Sequence, residues 1–159
     1  MQQLLVLCCW GLVALASVAP ERLQNRTLEM VLDEFHNRSR IYYAFKQQAV
    51  VPSVERQLQM GTFVQLEVDL VQTVCLKQLR GTQNCQMKPG GRKQKCLACF
   101  KFNPNGEILD KSMRCLSQQV PIFQEVWKKQ EQECENVKLT GEDRYRPGVF
   151  AFISQLPDG

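Results

Sequence analysis

The chain has 159 residues, 44% of them apolar, 23% charged and 8% aromatic, with a formal net charge of +4. That is the composition of one globular domain, and it excludes the disordered, collagenous and low-complexity classes. A chain of this length buries roughly 70% of its unfolded surface, so its eight cysteines are not required for stability and point to an oxidising compartment.

Residues 4–16 read LLVLCCWGLVALA, apolar and uncharged. The run is too short for a bilayer, which needs ~20 apolar residues, and suits a signal-peptide core with Ala14-Leu15-Ala16 as the cleavage signature. The expected organisation is a signal peptide at 1–16, a body at 17–140 and a C-terminal tail at 141–159. Cys8 and Cys9 leave with the signal, and the secreted product keeps Cys75, Cys85, Cys96, Cys99, Cys115 and Cys134.

Residues 21–38 carry Leu28, Val31, Leu32 and Phe35 at the three- and four-residue intervals of one helical face. Two N-glycosylation sequons sit on this predicted helix, at Asn25 and Asn37; helical geometry puts Asn37 nearly opposite the apolar stripe and Asn25 on its flank. His36 reads as a surface residue at the helix end. A strand follows over 41–51. Over 60–75, Val64, Leu66, Val68 and Leu70 alternate with Gln65, Glu67 and Asp69, the pattern of a half-buried antiparallel strand. Further strands are expected at 96–102 and 108–115, joined by the turn Asn103-Pro104-Asn105-Gly106. Val120, Phe123 and Trp127 then have helical spacing with Pro121 near the first turn, and Val137 and Leu139 read as a last short strand. The fold class is α+β: one long N-terminal helix wrapped by an antiparallel sheet, with no linker before the tail.

Six cysteines imply three disulfides. Three residues along a strand span ~10 Å, too far to bridge, so Cys96 and Cys99 do not pair with each other, and they point to opposite faces. If Cys75 and Cys85 close a local hairpin, Cys96–Cys115 with Cys99–Cys134 remains, or its crossed version. The Cys96-x-x-Cys99 spacing lacks the second pair a zinc site needs, and His36 is the only histidine. An even cysteine set leaves no free thiol for nucleophilic catalysis, and no Gly-rich phosphate loop, GxSxG or HExxH occurs. No enzyme, metal or cofactor is expected, and the chain reads as a monomer.

Between Asp69 and Glu107 stand seven basic residues and no acid. In a secreted protein such a patch suits heparan sulphate or an anionic microbial membrane rather than nucleic acid, through Lys88, Arg92, Lys93, Lys95 and Lys101. Residues 142–146 read as a solvated charge cluster. Beyond them Pro147-Gly148 favours a turn and residues 149–153 are apolar. Phe150 and Phe152 in an apolar pocket would supply ~1.5–3 kcal/mol each, and Tyr145 adds an aromatic body with a polar tip. An attached Asp158 and terminal carboxylate would drag anions towards that pocket, a physical reason for trimming to activate.

Gln57-Leu58-Gln59-Met60-Gly61 runs into 62–70, with Cys75 and Cys85 beyond, and this stretch resembles the central strands and first disulfide loop of the cystatins. The resemblance implies a cystatin-like fold. Cystatins wedge a Gln-x-Val-x-Gly hairpin into papain-like proteases; here Gln59 replaces the valine and no Pro-Trp hairpin lies between Cys99 and Cys115. Protease inhibition is therefore the alternative reading.

Glu34-Phe35-His36, the stretch Gly91-Arg92-Lys93-Gln94-Lys95-Cys96-Leu97-Ala98-Cys99, and Gly141-Glu142-Asp143 with Pro147-Gly148-Val149-Phe150-Ala151-Phe152 together resemble the chemoattractant and adipokine branch of the cystatin and cathelicidin superfamily. This resemblance implies the pairing Cys75–Cys85, Cys96–Cys115 and Cys99–Cys134. It also implies a proprotein whose trimmed tail, through Tyr145, Pro147, Gly148, Phe150, Ala151 and Phe152, activates a chemokine-like G-protein-coupled receptor, recruiting leukocytes and modulating inflammation and adipocyte differentiation. Tails of this branch carry a basic residue beyond Phe-Ala-Phe for trypsin-like processing, whereas residues 153–159 hold none and Arg146 is followed by Pro147. The expected activator is a serine protease of elastase or chymotrypsin type cutting after Phe152, Ile153 or Ser154, with about 154–159 removed.

Overall fold

The computed structural model describes residues 20–81 and 84–142, excepting the side chains of residues 20–22 and 52. The signal segment, its cleavage site and the tail beyond Glu142 lie outside the described residues. The elements in chain order are helix α1 (Pro20–His36), strands β1 (Tyr43–Leu58) and β2 (Gly61–Leu76), a single 3₁₀ turn at Lys77–Leu79, strands β3 (Lys93–Phe102) and β4 (Ile108–Leu116), and helix α2 (Phe123–Leu139). The strands form one antiparallel sheet in the order β1-β2-β3-β4.

The alternation in β2 divides the sheet into two faces. Val64, Leu66, Val68 and Leu70 stand in register with Phe100, Ala98, Cys96 and Gln94 of β3. On that face α1 lays Val31 and Phe35, both essentially without exposure, into the main core. Burying each such side chain stabilises the fold by ~1.5–3 kcal/mol. Lys111 of β4 closes the edge with an ion pair to Glu34 at 2.6 Å. On the opposite face, Phe63, Leu97 and Cys99 pack against Cys134 and Val137 of α2. The molecule is therefore a three-layer α/sheet/α arrangement with a core on each side of the sheet.

Three sequence expectations need correction. The strand expected at 41–51 continues to Leu58, past Pro52, because β1 is an edge strand whose register shifts between Val51 and Val54, where a missing N–H costs no ladder bond. Val137 and Leu139 belong to α2 rather than to a strand, since Phe123, Gln130, Cys134 and Val137 share its buried stripe. His36 is buried, not a surface residue. Its ring clamps the end of α1 to β1: Nδ1 lies 2.6 Å from the Leu32 carbonyl, and the Phe45 amide donates to Nε2 at 2.9 Å. Burial pushes the imidazole below its ordinary 6.5; Arg80 and Lys77 add to the depression, while the Leu32 carbonyl and Asp33 oppose it.

Three disulfides join Cys75 to Cys85, Cys96 to Cys115 and Cys99 to Cys134. Cys96 and Cys115 are direct cross-strand partners on the α1 face, and Cys99, of opposite parity, reaches α2 on the other side.

Candidate functional site

The candidate site is the place where the described chain ends. Gly141, at φ +76°, terminates α2 in the left-handed conformation that helix C-termini favour, and the Glu142 amide donates to the Leu139 carbonyl at 3.1 Å. The Glu142 carboxylate then accepts two bonds, from the Met60 amide at 3.1 Å and from the Lys101 ammonium at 2.5 Å. Met60 lies in the turn between β1 and β2, so the root of the tail is tied to the tip of that hairpin. The hairpin is itself narrow. A Cβ on Gly61 would stand 1.9 Å from the Phe102 carbonyl oxygen, so this glycine serves close packing of β2 on β3.

Lys101 corrects a further expectation. It has no exposed side-chain surface and cannot meet a polyanion from solution. Its Nζ donates to the Lys138 carbonyl at 3.2 Å, one of the carbonyls that the end of α2 leaves without a helical partner, where a cation is favoured. The ammonium thus bridges the helix end and the tail root. Glu142 correspondingly is not part of a solvated cluster: its side chain is 14% exposed. Its carboxyl is held below the ordinary 4.5, first by Lys101 and then by the Met60 amide, against the cost of desolvation.

The remaining basic candidates lie at the other end of the sheet. Lys88, Arg92 and Lys93 are exposed. Lys95 is half-buried, paired with Glu67 and set over the Trp127 ring at 5.6 Å, and Glu67 raises its pKa above 10.5. Arg92 is held through Gln72, whose Oε1 accepts from its Nε at 3.3 Å. Arg92, Lys93 and Lys95 line an open groove of about 670 Å³ with Asp69, Leu70 and Gln94. Register places Lys46 and Lys93 on either side of Val71.

Both sequon asparagines are exposed, Asn25 on α1 and Asn37 just after it. Thr27 of the first sequon is buried, its hydroxyl donating to the Leu23 carbonyl at 2.7 Å. Tyr145, Pro147, Gly148, Phe150, Ala151, Phe152, Ile153 and Ser154 lie outside the described residues. Sequence reasoning missed the Lys101–Glu142–Met60 cluster. The available signal was the parity of Lys101, which sets it on the α2 face, away from Phe100 and Phe102.

No family model matches the chain. It is 35% identical to human retinoic acid receptor responder protein 2 over 162 residues, covering 99% of each chain. The protein of that name from Mus musculus is 37% identical over 160 residues, 96% of each, and the one from Bos taurus 35% over 149 residues, covering 92% of this chain and 91% of that one. Among solved structures, dimeric human cystatin F overlays with a TM-score of 0.45 at 17% identity, covering 63% of this chain and 82% of that one.

Proposed function

Since the chain belongs to the retinoic acid receptor responder protein 2, or chemerin, family, we propose that it is a secreted, non-enzymatic chemoattractant and adipokine precursor whose trimmed tail activates a chemokine-like G-protein-coupled receptor. The observation that supports this reading is the fixed root of the tail. Glu142 is bound on two sides to a body with three disulfides, so the tail begins at a defined point of that body. Receptor engagement falls to Tyr145 and the Pro147-Gly148 turn, which present Phe150, Ala151 and Phe152. With no base beyond Arg146, an elastase- or chymotrypsin-type serine protease cuts after Phe152, Ile153 or Ser154. Ends at Ile153 or Ser154, which keep both phenylalanines internal, are the more active.

Calcium flux in receptor-bearing cells tests this with peptides 145–153 and 145–159. The shorter peptide should be the more potent, and Phe152→Ala should abolish its signal. Equal potency of the two would remove the role of trimming.

A second activity is favoured by the exposed Arg92 and Lys93 in their groove, which suit a sulphated polysaccharide or an anionic microbial membrane. Elution of R92E/K93E from heparin at lower salt than the parent, with K101M unchanged, is the expected outcome.

A further inference from the structure

Helix α2 packs on β3 and β4, and on the same side of the sheet the β1–β2 half carries apolar groups in the open. Register puts Val51 opposite Glu67 and Val54 opposite Gln65, on the α2 side, where they are 43% and 41% exposed. One end of this strip is the Gln59-Met60 turn, to which Glu142 is bonded. The other end is a pair of exposed cations on the same face, Lys46 and Lys93, which flank Val71. The strip thus starts where the described chain stops and ends in positive charge.

We propose that the untrimmed tail folds back along this strip, residues 149–153 lying against Val51 and Val54 and Asp158 seated between Lys46 and Lys93. The lengths agree. Val54 and Val51 stand level with the fourth and sixth residues beyond Gly61, about 13 and 20 Å along β2 at strand rise. Val149, seven residues beyond Glu142, reaches up to about 23 Å. Lys93 is level with Val71, about 33 Å from the hairpin, and the sixteen residues from Glu142 to Asp158 span up to about 53 Å, which leaves slack for the Pro147-Gly148 turn. The charges agree as well. Asp158 is the single charged residue after Arg146, and it would meet Lys46 and Lys93, both exposed, whereas Lys95 is already paired with Glu67. Removing residues 154–159 would delete that anchor and free the apolar segment. This deepens the reading that trimming activates, and rests on it for its biological sense; the docking itself is measured without a receptor.

The test compares amide chemical shifts of 15N-labelled protein starting at residue 17 and ending either at Gly159 or at Ile153. Shifts at Lys46, Val51, Val54 and Lys93 should differ between the two forms and persist on dilution. In the long form, V54D or D158K should move them towards the short-form values; D158K acts from the tail alone and leaves the core untouched. Identical shifts in both forms overturn the proposal, as do differences that vanish on dilution, which would identify a second copy as the occupant. A heparin-derived tetrasaccharide should bind the short form about tenfold more tightly if nine-tenths of the long form is closed, and equal binding overturns it. Docking shifts accompanied by equal receptor potency of the two forms would support the contact while removing the activation reading, so the two failures are distinguishable.

Discussion

The amide of Phe45 donates to Nε2 of His36 across 2.9 Å, and that bond fixes the tautomer of the ring. With Nε2 accepting, the proton sits on Nδ1 and is donated to the Leu32 carbonyl. A second proton on the ring would set two donors against each other in a buried site.

The first prediction concerns acid stability. The folded imidazole titrates below its ordinary 6.5, so the unfolded chain takes up the proton first as pH falls. The stabilisation is complete above the unfolded value and is lost as pH drops through it towards the lowered folded value. Melting temperature should decline from pH 7 to 5, and His36→Phe should flatten this part of the profile. At neutral pH the variant should cost ~1–3 kcal/mol, because the Phe45 amide is left without an acceptor. Parallel profiles for parent and variant would assign the acid sensitivity elsewhere.

The Lys101–Glu142 pair predicts an order of variants. Glu142→Gln removes the anion from a fully buried ammonium, which is worse than replacing the ammonium itself by an apolar group of similar shape. Urea unfolding should therefore rank E142Q below K101M, with the double variant close to K101M. The opposite order would show that the carboxylate contributes through the Met60 amide alone.

Gly61→Ala should be strongly destabilising. At φ +132° the added carbon would stand 1.9 Å from the Phe102 carbonyl oxygen. The backbone conformation alone costs an L residue ~1–3 kcal/mol, and the clash adds to it. The urea midpoint should fall well below that of Gly106→Ala, whose nearest neighbour is the flexible end of Arg26 at 3.5 Å.

Among the disulfides, an unreduced digest should join Cys75 to Cys85, Cys96 to Cys115 and Cys99 to Cys134. Cys99–Cys134 spans 35 residues and Cys75–Cys85 spans 10. Loop-closure entropy makes loss of the longer link the costlier by about 1 kcal/mol. Chemical denaturation of the two double-alanine variants measures that difference, and a Cys96–Cys134 peptide in the digest would contradict the fold.

The sheet was legible in the sequence because β2 alternates strictly and the turn at 103–106 is marked by proline and glycine. The second helix was half-legible, and one residue explains why. Its stripe passes through Gln130, a polar side chain that is buried because its Nε2 donates to the Ser112 hydroxyl at 3.0 Å and to the Leu97 carbonyl at 3.3 Å. Read as polar, Gln130 breaks the stripe and leaves Val137 and Leu139 to look like a strand. The same error exposes Lys101, since the last turns of α2 are what cover it. His36 was illegible for another reason: its partner is a backbone amide nine residues away, and no side-chain pattern announces such a bond.

The last covalent tie before the tail is Cys134, eight residues ahead of Glu142, and it leads directly into β3. Any traction on the chain beyond Glu142 is therefore borne by the cystine and the central sheet. Upstream of that knot the body is shielded. Downstream, among the described residues, the last turns of α2 and the carboxylate clasp at Lys101 are what can pay out, a short built-in slack that lengthens under load while the sheet keeps its register.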